Sequence, residues 1–176
     1  AKFLPARIAR GIALARENLE PARIGWASGR DPENVYCRRF LMKEGTAATN
    51  PFSGKSNDRA QMNPGHNNPN AIRRTGVVDD EVFVLSVQAQ DGRPIALLAN
   101  YSTHYAGAPA LSADYFGVFA QNVSKHLEAD EVTPAFVGIM SNGTSGDANC
   151  LDFTRGDRRK YDRFTVAEDT AKVAFE

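Results

Sequence analysis

Residues 139–150 read IMSNGTSGDANC, where an apolar run changes abruptly into small and hydroxyl residues with one carboxylate. Ser141 and Ser145 are candidate nucleophiles, because a serine hydroxyl attacks a carbonyl carbon when a base or metal lies beside it. Glycines at 143 and 146 would let backbone N–H groups face an oxyanion. The same residues also suit a plain turn with capping hydroxyls, and their spacing is not the G-x-S-x-G of an α/β-hydrolase.

A further candidate, His104, follows the apolar run 94–101. A neutral imidazole at the end of a strand can bind zinc or act as a base near neutral pH; a structural, hydrogen-bonded histidine is the alternative. Ligands of open α/β sheets bind outside the carboxyl ends of the strands. We therefore expect His104 and the serine loop to meet at one sheet edge. We interpret His66 as a solvated loop residue and His126 as a surface residue of a helix.

The elements that hold these residues follow from hydrophobic periodicity. Apolar residues at steps of three and four predict one helix over residues 3–20 and another from about Ser112. Strands are predicted at 22–27, 35–42, 81–90, 94–101 and 134–140. The nearly all-apolar run 94–101 is typical of a strand covered on both faces. This alternation predicts an α/β fold, a mixed sheet with flanking helices in a layered single domain.

Residues 43–77 predict a long irregular loop. Asn-Pro pairs at 50, 63 and 68 start turns, and the stretch shows no hydrophobic periodicity of a helix or strand. A segment of this length is typical of a lid, a binding loop or a disordered insert. Gly54-Lys55-Ser56 lacks the first glycine and the preceding strand of a phosphate-binding loop.

The composition excludes several classes of protein. Among 176 residues, 21 Lys and Arg balance 21 Asp and Glu, so no basic field attracts nucleic acid. No apolar run reaches the roughly 20 residues of a membrane helix. Cys37 and Cys150 lie far apart and are interpreted as free thiols that are buried or half-buried. No secretory signal is visible; since the sequence lacks an initiator Met and stops within a helical pattern, we expect a piece of a longer protein.

Five stretches, in order, resemble the neutral/alkaline (non-lysosomal) ceramidase family in its N-terminal catalytic domain. They read PARIGWASG, CRRFLMKEGT, GVVDDEVFVLSVQAQDGRPIALLANYSTH, LSADYFG and VGIMSNGTSGDAN. The resemblance covers nearly the whole chain. It implies that residues 1–176 are the central part of such a catalytic domain, truncated at both ends.

Members of this family are zinc-dependent amidases that cleave the N-acyl bond of ceramide, with zinc held by two His, a Glu and a Tyr. The pattern Asn100-Tyr101-Ser102-Thr103-His104 resembles the one that carries the second zinc histidine, which assigns His104 to the metal. Arg38 resembles the arginine that contacts the reacting carbonyl, a role suited to a permanent charge. The other zinc ligands would lie outside this chain.

The resemblance leaves the catalytic serine open between Ser141, Ser145 and neither, because the loop has two residues more than the family pattern. Asn142, Gly146 and Asp147 are expected to bind substrate or shape the loop. We expect Asp114 to support the metal or to hold its helix.

The function implied is zinc-dependent hydrolysis of an N-acyl amide of sphingolipid type. The alternatives are an inactive relative that binds a lipid or glycan, and a metal hydrolase of a non-lipid amide or ester. The expected partners are a small-molecule or lipid substrate and the surface of a membrane, without a transmembrane segment. The resemblance favours a secreted or periplasmic location.

Overall fold

The computed structural model describes residues 3–107, 109–155 and 163–175. Its elements in chain order are α1 (Phe3–Glu17), β1 (Ala22–Arg30), β2 (Tyr36–Cys37), β3 (Arg39–Met42), β4 (Ala60–Met62), β5 (Ala71–Arg74), β6 (Glu81–Ala89), β7 (Pro94–Tyr101), α2 (Asp114–His126), β8 (Val137–Asn142), a 3-10 turn (Ser145–Asp147), β9 (Ala148–Asn149) and α3 (Arg163–Phe175).

The main sheet has four strands in the order β1-β6-β7-β8. The pairs β1–β6 and β6–β7 are antiparallel, whereas β7 and β8 are parallel. A parallel pair needs a crossover connection, and α2 carries the chain from β7 to β8. The predicted fold class, a mixed α/β sheet with flanking helices, is confirmed.

Helices α2 and α3 cover one face of the main sheet and form the larger core with it. The helix predicted from about Ser112 begins at Asp114 and buries Phe119 and Val123. Gly138 in β8 allows α2 to approach, because a Cβ there would lie only 3.0 Å from the carbonyl oxygen of Ala120. The buried residues of this core include Val82, Val84, Leu97, Ala99, Tyr101, Tyr115, Met140 and Val166.

The opposite face of the main sheet is apolar and exposed. Side chains of residues in cross-strand register share a face. Two such rows cross the sheet here: Trp26–Leu85–Leu98–Ile139 and Ile24–Val87–Ala96–Val137. We call these two rows the open face. Because 41% of Leu98 is exposed, the expectation that residues 94–101 are covered on both faces is wrong: helices cover one face of this strand.

Helix α1 is present as predicted, although it ends at Glu17 rather than at residue 20. Its last turn closes with the Asn18 N–H donating to the carbonyl of Leu14 over 3.1 Å, and Pro21 prevents continuation. None of its residues is buried. The apolar stripe that predicted the helix therefore faces solvent, unlike the stripe of α2. It consists of Leu4, Ile8, Ile12, Ala15 and Leu19.

Two smaller sheets correct the predictions for the first half of the chain. Residues 35–42, predicted as one strand, form two strands that join different sheets: β2 pairs with β9, and β3 lies between β4 and β5. The stretch 43–77 is not irregular throughout, because it contains β4 and β5. These strands have three and four residues, too few to show alternation in the sequence.

Both cysteines are free and buried, as predicted. Burial is the main cause that raises the pKa of the Cys150 thiol to about 11. The thiolate is the reactive form, and the raised pKa keeps this buried core side chain as a thiol near neutral pH. In the described ranges, no helix combines the length and apolar character needed to cross a membrane.

Candidate functional site

The carboxyl ends of β7 and β8 bring two predicted segments together. Tyr101 and Asn142, the last residues of the two parallel strands, are in register. The chain continues from there into His104 on one side and into the loop 143–147 on the other. The expectation that the histidine and the serine loop emerge at the same sheet edge is confirmed.

Arg38 ties a third segment to this edge. Its backbone N–H donates to the carbonyl of Asp147 over 2.8 Å, and its Nη2 donates to the carbonyl of Gly146 over 2.9 Å. The pairing of β2 with β9 holds the arginine here. The Nε of Arg38 is buried and has no acceptor among the described residues, so it is a donor whose hydrogen bond is left unmade there.

His104 is half-buried beside this arginine. Its ring centroid lies 4.1 Å from that of Tyr105. Loss of hydration lowers the pKa of His104, and the positive charge of Arg38 lowers it further; an interaction with the Tyr105 backbone and the charge of Asp114 act in the opposite direction. The imidazole is therefore neutral at neutral pH, which is the form that binds a metal or accepts a proton.

Asp114 is buried at the start of α2, as expected of a residue that holds its helix. Its Oδ1 accepts hydrogen bonds from the N–H groups of Ala106, over 2.8 Å, and of Tyr115, over 2.7 Å. It therefore joins the segment after His104 to the helix. Its φ of 49° lies in the left-handed region, where Asp is among the few tolerated residues.

The two candidate serines have different surroundings. Ser141 lies in β8, where its Oγ accepts from Nδ2 of Asn100 over 2.8 Å and donates to the carbonyl of Ala99 over 3.1 Å. Ser145 opens the 3-10 turn, with its backbone N–H bonded to the carbonyl of Gly143 over 2.9 Å. Its half-buried hydroxyl bonds to no described residue, so Ser145 has the freer hydroxyl.

Two of the remaining predicted loop residues, Gly146 and Asp147, contact Arg38 through their carbonyls. Asn142 is exposed at the end of β8, and Gly146 is exposed in the turn. Asp147 is half-buried, and its carboxylate lies beside Gly76, where the stretch 43–77 ends. Gly146 presents its carbonyl to the arginine but has open space around its Cα, so the turn itself does not require glycine at this position.

Ser102 is a residue of this edge that sequence reasoning missed. Its buried Oγ lies 3.3 Å from the Asp79 carboxylate and accepts a hydrogen bond of 3.0 Å from the backbone N–H of Thr144. The Thr144 hydroxyl lies 3.2 Å away. This single hydroxyl joins the segments before β6, after β7 and after β8. Its place within the pattern Asn100-Tyr101-Ser102-Thr103-His104 was the only signal in the sequence.

The other two histidines lie elsewhere. His126 is exposed on α2, as predicted, and stacks on Phe175 of α3 with ring centroids 3.7 Å apart. His66 is half-buried against Phe153, with 5.2 Å between ring centroids, and so is less solvated than predicted. Burial by Phe153 could not be read from an Asn/Pro/Gly-rich stretch.

The described residues do not form a zinc site by themselves. Catalytic zinc is usually held by three protein ligands. In the part of the chain that the structure describes, no three His, Cys, Asp or Glu side chains come together. His104 can supply one ligand, and a zinc site would require others from outside the described residues.

Comparison with known proteins finds solved structures of similar fold, among them two ceramidases. No family model matches the chain, and no curated protein matches it. Neutral ceramidase from Pseudomonas aeruginosa matches with a TM-score of 0.60 and 16% identity, over 96% of this chain and 24% of that one. A ceramidase complexed with C2 matches with a TM-score of 0.56 and 17% identity, again over 96% and 24%. The chain thus spans about a quarter of the length of these structures, and over nearly all its own length it has a ceramidase-like fold.

Proposed function

We propose that this chain is part of the catalytic domain of a zinc-dependent amide hydrolase that cleaves an N-acyl bond of sphingolipid type. Two solved structures of its fold are ceramidases, which are hydrolases of this bond. The observation that carries the proposal is the position of Arg38. It reaches the serine loop through Gly146, adds to the larger effect of lost hydration in lowering the pKa of His104, and keeps one buried donor without an acceptor among the described residues.

In this proposal, Arg38 receives the carbonyl oxygen of the scissile amide. Its free Nε–H would donate to that oxygen, and the fixed positive charge would stabilise the negative charge that develops in the transition state. The Gly146 carbonyl and the neighbouring backbone hold the guanidinium in place before substrate binds, so little reorganisation is needed during the reaction.

Ser145 fits the role of nucleophile or water-orienting group better than Ser141. The Ser141 hydroxyl already has a donor and an acceptor within β7 and β8, and both bonds would have to break before it could attack. We assign His104 as one zinc ligand, with the remaining ligands supplied from outside the described residues. Its neutral imidazole suits that role.

Zinc content and hydrolysis test this proposal together. We would prepare the wild type, with any flanking sequence encoded with it, together with His104→Ala and the control His126→Ala. We expect His104→Ala to lose bound zinc and the release of fatty acid from a fluorescent ceramide. His126→Ala should keep both, because His126 contacts Phe175 and is far along α2 from the sheet edge.

The alternatives give different results in the same assays. Binding of ceramide vesicles without any release of fatty acid would identify an inactive relative. Hydrolysis of short soluble amides or esters, but not of ceramide, would identify a hydrolase of another substrate class. Equal zinc content in all three proteins would exclude His104 as a ligand.

A further inference from the structure

Two apolar surfaces are largely uncovered by the residues that the structure describes. The open face of the main sheet is the first, with Trp26 73% and Leu98 41% exposed. The stripe of α1 is the second, with Ile8 56% and Ile12 66% exposed. Contiguous exposed apolar surface of this kind marks an interaction site. A helix with one apolar stripe is normally stabilised by packing that stripe against a partner.

A short linker joins these two surfaces. Only residues 18–21 separate α1 from β1, which is itself an edge strand of the sheet. The C-terminal end of α1 already lies beside the open face, because Ala15 and Leu19 share a cavity of about 360 Å³ with Ala96 and Val137. The C-terminal end of α1 therefore lies at one end of the open face, and the rest of its apolar stripe is uncovered.

The dimensions of the helix and the sheet match. A helix rises 1.5 Å per residue and a strand about 3.3 Å. With Ala15 level with Ala96, Ile12 would lie about 4.5 Å and Ile8 about 10.5 Å further along the sheet. Leu98 lies roughly 6.6 Å along β7 from Ala96. Ile12 and Ile8 would thus lie on either side of the row that contains Leu98 and Trp26.

We propose that α1 closes over the open face of its own sheet by a hinge at residues 18–21, packing its stripe on Trp26, Leu98 and Ile139. The Arg93 guanidinium pairs with Glu20, which keeps the linker beside β7 while the helix swings. A tether this short gives the helix of the same chain a high effective concentration at the face, which favours it over a second copy. Closure does not depend on the hydrolase function.

Trp26 reports closure directly, because it is the one tryptophan of the 176 residues and lies on the open face. Packing under α1 would shift its emission to shorter wavelength and protect it from acrylamide. We expect this protection in the wild type. Ile12→Asp places a charge in the stripe and should raise the acrylamide quenching constant several-fold, with emission at longer wavelength.

Leu14→Asp is the matched control. Leu14 is 46% exposed on the same helix and lies about 200° around the axis from Ile12, off the stripe. The same chemical change there should leave Trp26 protected. Ile8→Asp should reproduce the effect of Ile12→Asp, and far-ultraviolet circular dichroism would show that the sheet and helices remain folded in each variant.

Sedimentation at several protein concentrations completes the test, with a protected tryptophan expected in a monomer. The proposal is overturned if Trp26 of the wild type is quenched as freely as a model tryptophan amide, or if Ile12→Asp and Leu14→Asp behave alike. Protection that appears only with dimer formation would assign the face to a second copy. Protection that appears only with phosphatidylcholine vesicles would assign it to lipid.

Discussion

Ser102 and Gly143 pack against each other where β7 and β8 end. A Cβ on residue 143 would overlap the Ser102 hydroxyl and lie 3.0 Å from the side-chain oxygen of Asn100. The neighbouring N–H of Thr144 donates to that same hydroxyl. The absence of a side chain at residue 143 therefore allows the serine loop to approach β7 and bond to it.

Gly143→Ala should displace the loop 143–147. The added methyl group would meet the hydroxyl of the buried Ser102 and the side-chain oxygen of the half-buried Asn100. We expect a loss of about 1–3 kcal/mol in the free energy of unfolding, as for other overpacked positions. Gly146→Ala is the control, because nothing lies within 4 Å of a Cβ there. Urea unfolding of both variants measures the difference. Equal midpoints would contradict the close contact with Ser102.

The pKa of His104 should respond to Arg38. The arginine contributes to lowering that pKa, after the larger effect of lost hydration. Arg38→Gln removes the charge and should move the pKa upward, whereas Arg39→Gln, at the exposed neighbouring position, should have less effect. Titration of the His104 ring protons by NMR measures both. An unchanged pKa in Arg38→Gln would show that the two side chains do not interact.

The same lowered pKa makes stability depend on pH with a definite sign. The folded chain binds its His104 proton less readily than the unfolded chain, whose pKa is near the ordinary 6.5. The unfolded chain therefore holds more protons between the two pKa values. The contribution of His104 to stability is present above pH 6.5 and declines as the pH falls toward its folded pKa.

Asp114→Ala should loosen the segment that follows His104. The change removes the acceptor of the Ala106 and Tyr115 N–H groups, and a buried donor left without a partner costs about 1–3 kcal/mol. Asp114→Asn retains an acceptor oxygen and also tolerates the left-handed backbone, so it should lose much less. Amide hydrogen exchange at Ala106 reports the difference. Equal exchange rates in the two variants would contradict the assigned hydrogen bond.

The sequence predicted the helices and strands that are long enough to show a hydrophobic period. Phe119 and Val123, four residues apart, lie on the buried face of α2. The strands β4 and β5 were missed because three or four residues establish no period, and their pairing with β3 depends on tertiary contact. The apolar run 94–101 indicates a strand but does not show whether one or both faces are covered.

The sequence predicted site residues whose type suits the chemistry and which directly follow an apolar strand. It missed a residue whose role depends on a hydrogen-bond partner distant in sequence. His104 and the serine loop could be placed at one edge, because each follows an apolar strand. Ser102 could not be recognised, since its role depends on Thr144, 42 residues further along. The family resemblance identified Arg38 as a site residue, but its neighbours could not be predicted from the sequence. Arg38 lies where the chain passes from β2 to β3, and the pairing of these strands in different sheets is a tertiary feature.

The hydrogen bond between Arg38 and Gly146 joins residues 108 positions apart. Contacts with so large a sequence separation form slowly, because closing the intervening loop costs entropy before any contact offsets it. Gly146 follows β8, which pairs with β7 in parallel register, so the position of its carbonyl depends on the α2 crossover that joins the two strands. Any change that detaches β8 from the sheet would also remove the acceptor of the Arg38 guanidinium.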